Sequence, residues 1–253
     1  MPQPHISLSA EKIGSLFGIP ITNSILMTWM TMLFLTVFSL MAVAKISLVP
    51  SNIQSMAEVI IDGLYNIFKS VVGEHYIKSF FPLLATIFLF IAVANWGGLL
   101  PGVGTIGFHR EVITEVVEAK SEFIPLFRGA TADLNTTLAL AIIAVLSIQY
   151  FGVRSLGGGY FKKFFNFSDP IMFGVGLLEI VSEISRVISF AFRLFGNIFA
   201  GEVLLTVIAF LMPLIAPLPF LGLELFVGFI QALVFSMLTA VFLNMATVSH
   251  DSH

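Results

Sequence analysis

The chain has 253 residues, of which 57% are hydrophobic and only 11% charged, with a formal net charge of −3 and no cysteine. Soluble domains carry about 25% charged residues, so this chain is too poor in charge to cover a water-facing surface; with a mean hydropathy of +1.00 it reads as a polytopic membrane protein. Disulfides and cysteine-ligated metals are excluded, and the small net charge gives no basis for nucleic-acid binding.

A bilayer core of about 30 Å takes roughly 20 helical residues. The N-terminal segment 1–23 lacks the basic start and small-residue cleavage site of a signal peptide, so the first apolar segment, 24–48, is expected to stay as an anchor. Residues 53–72 set apolar side chains at helical spacing with Glu58, Asp62 and Lys69 among them, the pattern of a helix lying in the interface. A second span covers 81–100 and ends in the breaker-rich WGGLLPG. The polar, acidic stretch 101–133 is expected as a loop outside the membrane, and a third span follows at about 134–153. After the basic, Gly-rich RSLGGGYFKK, no proline interrupts from Pro170 to Met212. From Ser168 this is roughly 43 residues, or about 65 Å at 1.5 Å each, about twice the hydrocarbon thickness, so the helix is expected to lie strongly tilted. Pro213, Pro217 and Pro219 force a turn, and a last helix at 220–248 completes a long hairpin.

The expected fold is all-α: one membrane domain over 1–253 with about five membrane helices and an amphipathic interfacial helix. Its parts are the outer segment 1–23, the first span and interfacial helix 24–80, a hairpin with an outer loop 81–153, and the tilted hairpin 168–248. Lys45, Lys69, Lys78, Arg154, Lys162 and Lys163 fall on one side, and Lys12, Arg110, Lys120 and Arg128 on the other. The positive-inside rule then puts the N-terminus outside and the C-terminus in the cytoplasm.

The long helix carries an unusual set of polar groups. At 100° per residue Glu179, Glu183, Arg186, Arg193 and Asn197 fall within an arc of about 80°, flanked by Ser189, while Glu202 points to another face. An intramembrane charge costs at least about 2.5–3.5 kcal/mol by insertion scales, so it is normally paired or lines a wet cavity. Arg193 has no acid one turn away on its own helix; Glu224 and Gln231 share a face of the last helix. Either Glu224 bridges Arg193 within the bundle, or the counter-charge comes from another subunit.

The run Arg193-Leu194-Phe195-Gly196-Asn197 followed by Ala200-Gly201-Glu202 is the most specific motif in the chain. With TADLNTTLALA at 131–141, NWGGLLPG at 95–102, FIQALVFSMLT at 229–239 and LLE at 177–179, it resembles the subunit a family of F-type ATP synthases, over about 80–253. The resemblance implies that Arg193 faces a ring of c subunits, each with a lipid-buried carboxyl. It implies an outer proton half-channel lined or bordered by Glu202, Glu224 and Gln231, with Asp133 and Asn135 near its mouth. It places Glu179 on a cytoplasmic half-channel, with Ser182 and Ser189 as neighbours and Asn197 on the same stripe. Glutamate at both 202 and 224, where the family also uses histidine, points to a bacterial source and the bacterial inner membrane. The implied partners are the c-ring, peripheral-stalk b subunits and the rest of the synthase, with no cofactor and no nucleotide bound by this chain.

Elementary chemistry runs parallel to the resemblance. A guanidinium with a pKa above 12 does not release its proton, so an arginine blocks a proton wire and attracts an ionised carboxylate. Glutamates exchange protons near neutral pH when burial tunes them. The GxGxxG string at 102–107 follows a span and enters a polar loop, which is the wrong context for a nucleotide site. Asn135-Thr136-Thr137 matches a glycosylation acceptor at the start of a span, and the terminal HDSH reads as a solvated tail. A stand-alone channel or secondary transporter is the alternative, but it would usually carry internal repeats, and none is visible.

Overall fold

The computed structural model describes residues 9–247 apart from 17, 45, 48, 115–116, 165–169 and 214. His5, the expected helix start at 168–169 and the tail 250–253 lie outside the described residues. Among those described, the order is β1 (Lys12–Leu16), β2 (Ile19–Thr22), α1 (Asn23–Val43), α2 (Asn52–Val72), α3 (Ile77–Gly98), β3 (Gly107–Thr114), β4 (Val117–Pro125), α4 (Leu134–Leu156), α5 (Pro170–Leu211) and α6 (Pro217–Thr247). Short 3-10 turns occupy Ala130–Ala132 and Gly157–Lys163. Every helix except α2 is long and apolar enough to cross a membrane, five in all among the described residues. The protein is an all-α multi-pass membrane protein.

The stretch 101–133 is not a plain loop. It folds into an antiparallel hairpin, β3 with β4, in which Gly107 pairs with Pro125 and Thr114 with Val117. A smaller hairpin, β1 with β2, precedes α1. Helix ends also differ from expectation. α6 starts at Pro217 because proline is tolerated in a first turn, where its missing N–H has no intrahelical partner to lose. α3 starts at Ile77, ahead of Pro82, and so buries Ile77 and Phe80 in its first turn. α4 runs on to Leu156 and stops at Gly157, whose φ of 60° is left-handed.

The chain divides into two compact units. The first comprises Met1–Val37, Phe90–Thr136 and Leu194–Gln231. Its apolar centre is Met27, Ala94 and Ala130, packed by Phe90, Val103 and Phe127. In lipid, helix association rests on close packing and polar bonds rather than on water exclusion, at about 0.6 kcal/mol for an average interhelical hydrogen bond. Both occur here. A Cβ added at Gly98 would stand 3.0 Å from the Cα of Gly129, so this approach needs glycine. Buried Asn95 accepts from the Thr131 hydroxyl (2.6 Å) and donates to the Gly228 carbonyl (2.8 Å), and Trp96 Nε1 donates to the Leu225 carbonyl (3.0 Å).

The second unit comprises Phe38–Leu89, Thr137–Arg193 and Ala232–His253. It contains α2, which is amphipathic as its spacing predicts: Gln54, Leu64, Phe68 and Val72 form its buried face. Ser51 caps its first turn by accepting from Gln54 N–H, and Gly73, at a φ of 82°, closes its end on the Lys69 carbonyl. Phe80 packs edge-on against Phe151 at 4.9 Å, and Asn244 Nδ2 donates to the Val71 carbonyl.

Candidate functional site

The first unit holds a cavity of about 280 Å³ whose wall includes Glu11, Asn23, Asn95, Arg128, Glu202 and Glu224. Each polar group reaches it for a local reason. Glu202 sits in the C-terminal part of α5, half-buried. Glu224 lies in the second turn of α6, only 7% exposed, directly over Gly201. Any Cβ at 201 would meet the Glu224 carboxylate, so the glycine of the AGE motif is what lets this acid lie against α5. Asn23 is exchanged with the N-terminal segment: Glu11 N–H donates to Asn23 Oδ1 and Asn23 N–H to the Glu11 carbonyl.

Arg128 follows β4 and is 6% exposed. Its Nε and Nη2 both donate to Oε2 of Glu202 at 3.4 Å, its Nη1 donates to the Ser9 carbonyl at 3.0 Å, and its guanidinium carbon stands 6.0 Å from the Phe199 ring centre. Sequence reading placed Arg128 among the loop cations. The structure makes it a buried partner of the expected channel glutamate. Nothing in the local spacing of FRGATADLN marks it; the signal lies in a contact 74 residues away.

Of the other expected residues of this unit, Asp133 and Asn135 are not in the cavity wall. Buried Asp133 precedes the first residue of α4 and its Oδ1 accepts from Asn135 N–H (3.1 Å) and Asn135 Nδ2 (3.2 Å), a helix cap. Gln231 is half-buried on α6, outside the wall.

The second unit holds a more open pocket, also about 280 Å³, lined by Ser182, Ser185, Arg186, Ser189, Phe190, Arg193, Leu238 and Phe242. The stripe expected on α5 is divided in its chemistry. Arg186 is internally satisfied: Nη1 donates to Glu183 Oε2 at 2.6 Å, and its guanidinium carbon lies 4.0 Å from the Phe242 ring centre, within cation–π range. Arg193 is exposed. It donates to the Ser189 hydroxyl at 3.3 Å and stands 6.0 Å from the Phe190 ring centre. No carboxylate pairs with Arg193 among the described residues. Ser182 and Ser189 thus share its pocket, while Glu179 is half-buried and outside the wall, and Asn197 of the first unit is exposed. A buried Tyr160 hydroxyl donates to Gln149 Oε1 at 2.7 Å.

Chemically, among the described residues, the first cavity offers titratable oxygens beside the fixed cation Arg128, and the second offers hydroxyls beside Arg186, paired with Glu183, and Arg193, which has no acid partner. Among the described residues no group of three or more His, Cys, Asp or Glu is placed to hold a metal ion.

A family profile described as ATP synthase A chain matches residues 25–244. The chain is 39% identical over 231 residues to the ATP synthase subunit a of Gloeobacter violaceus, covering 91% of this chain and 86% of that protein. It is 36% identical to the ATP synthase subunit a of Citrifermentans bemidjiense and 34% identical to that of Trichlorobacter lovleyi, in each case over 88% of this chain and 86% of the relative.

Proposed function

Because the chain belongs to the ATP synthase A chain family, we propose that it is the membrane stator of a rotary ATP synthase and provides two proton half-channels separated by Arg193. The chain is a non-catalytic subunit of the synthase; the chemistry of ATP belongs to other chains. The cavity bearing Glu202 and Glu224 is the outer half-channel. The serine-lined pocket beside Arg193, with Glu179 on the same helix, belongs to the cytoplasmic half-channel. Residues 168–248 carry the ion path within one membrane domain. The N-terminus lies outside and the C-terminus in the cytoplasm of a bacterial inner membrane, as the lysine and arginine bias of the loops suggests. The partners are a c-subunit ring and peripheral-stalk b subunits.

One observation carries this reading: Arg193 is an exposed, permanently charged side chain on an apolar helix, with a serine and a phenyl ring but no acid beside it among the described residues. A charge so placed needs a counter-charge from elsewhere. A rotor carboxylate arriving from the ring supplies it, and the guanidinium favours proton release from that carboxyl. The outer glutamates border the path by which a proton reaches or leaves the ring.

The test is substitution at Arg193 in the whole complex. Arg193→Ala keeps the helix, since alanine is the better helix former, and removes an intramembrane charge. The complex is expected to assemble, with coupled ATP synthesis and ATP-driven pumping abolished and passive proton leak raised. Arg193→Lys is expected to fail in coupling too, because a desolvated ammonium gives up its proton and lacks the planar fork. Assembled variants that synthesise ATP at near-normal rates would overturn the reading. A stand-alone transporter would instead move ions when reconstituted without the ring.

A further inference from the structure

The contact between Arg128 and Glu202 is one-sided. Both guanidinium donors converge on Oε2 of Glu202, and among the described residues no protein group bonds Oε1. Arg128 is itself fixed from two further directions, by the Ser9 carbonyl and the face of Phe199, and is 6% exposed. Its charge is therefore held in place, and the carboxylate is held against it by one oxygen. The same cavity wall brings Glu224 from α6 and Glu11 from the N-terminal segment, so three acids and one cation face a common space. Four free acids and bases in water would sample many geometries. Here one oxygen of one acid is pinned and the other left open.

We propose that Arg128 is a positioning residue for proton uptake and release: it anchors Glu202 by Oε2 so that Oε1 is presented to the water of the cavity. A proton carried by a cavity water binds at Oε1, giving the carboxylic acid while Oε2 keeps both hydrogen bonds from the guanidinium. The proton then leaves from the same oxygen to a second water or to the Glu224 carboxylate, and the Glu202 carboxylate is restored. No torsion of Glu202 is needed in this cycle, which is what anchoring contributes. Without Arg128 the acid remains but is no longer held in geometry, and misplacement of a reacting group by about 1 Å costs up to roughly a hundredfold.

This inference rests on the proposal that Glu202 borders the outer half-channel, and the experiment separates the two. ATP-driven proton pumping is measured in membrane vesicles carrying the assembled synthase with Glu202→Gln, Arg128→Gln, Arg128→Lys and the Arg128→Gln/Glu202→Gln pair. Glu202→Gln is expected to slow pumping without abolishing it. Arg128→Gln is expected to slow it by roughly ten- to hundredfold. In the Glu202→Gln background the same change is expected to add less than about twofold, because the two residues act as one unit. Arg128→Lys keeps a cation beside Oε2 but loses the planar fork and the contact with Phe199, and is expected to slow pumping less than Arg128→Gln does, by roughly three- to tenfold. Normal pumping by Glu202→Gln would overturn the half-channel reading. A slowed Glu202→Gln with a normal Arg128→Gln, or an Arg128→Gln effect of equal size in both backgrounds, would overturn the role of Arg128 alone. If Arg128→Gln does not assemble, Arg128→Lys and Arg128→Lys/Glu202→Gln are compared in the same way: non-additive losses support the anchor and additive ones overturn it.

Discussion

The two pockets have the same volume, about 280 Å³, and opposite chemistry. The one in the first unit contains acids in excess of base, with its single cation pinned between a carboxylate, a carbonyl and a ring. The one in the second unit contains two cations, of which Arg186 is neutralised on its own helix and Arg193 is not. The difference teaches that a cation among apolar helices need not be answered where it stands. Arg128 and Arg186 are each met by a carboxylate and a ring of the chain. Arg193, which we propose works against the rotor, is held by weak neutral contacts with no acid beside it among the described residues.

The largest test of that contrast, after Arg193 itself, removes the acids from the first pocket. Glu202→Gln with Glu224→Gln is expected to lower ATP-driven pumping by roughly a hundredfold or more, the usual order for lost proton-transfer groups, while the complex still assembles. Unchanged pumping by the double variant would show that the acid-rich cavity is not on the proton path. A finer test moves one acid without removing it. Gly201→Ala sets a methyl group where the Glu224 carboxylate lies and forces that side chain outward. Alanine is worth about 1 kcal/mol over glycine inside a helix, so assembly is expected to hold or improve. Pumping is expected to fall by up to about tenfold, and a normal rate would mean that the position of Glu224 does not matter.

The smallest effect is expected at the second unit's exposed ion pair, Lys69 Nζ to Glu74 Oε1 at 2.7 Å. The hydrogen bond and charge of Lys69 hold the Glu74 carboxyl below its ordinary range, and the same hydrogen bond and charge hold the lysine above its own. The Glu74 contribution is present above the ordinary carboxylate pKa and lost as pH falls through the lowered value. The Lys69 contribution is present below the ordinary lysine pKa and lost as pH rises through the raised one. Neither changes across neutral pH, and water screens both groups. Glu74→Gln is therefore expected to leave pumping and thermal stability unaltered between about pH 6 and 8. A pH-dependent loss there would give this surface pair a role that its exposure argues against.

Much of this was legible in the sequence. Hydropathy marks each span because a bilayer demands length and apolarity together, and the helical spacing of apolar residues among Glu58, Asp62 and Lys69 marks α2. Arg193 stands out because its helix offers it no acid. The hairpin of β3 and β4 was missed because its polar composition resembles that of a loop, and its pairing depends on register between two runs rather than on either run alone. Arg128 was missed for a related reason. A basic residue beside a span looks like a topology signal until the fold brings Glu202 to it. Long-range pairing of charges leaves no periodicity to read.

The bonds from Asn95 and Trp96 to α6 end on main-chain carbonyls, those of Gly228 and Leu225. A carbonyl is present whatever side chain its residue bears. These two bonds therefore do not depend on the side chain of Glu224, which can be changed while they stay, but the approach at Gly228 does need a glycine, since a Cβ there would stand 3.1 Å from the Cβ of Asn95. Asn95 itself serves both sides: it donates to α6 and stands in the wall of the cavity that holds Glu202 and Glu224. Scaffold and cavity meet in that one side chain, so replacing it alters both at once, while Trp96 still ties α6 by its own bond.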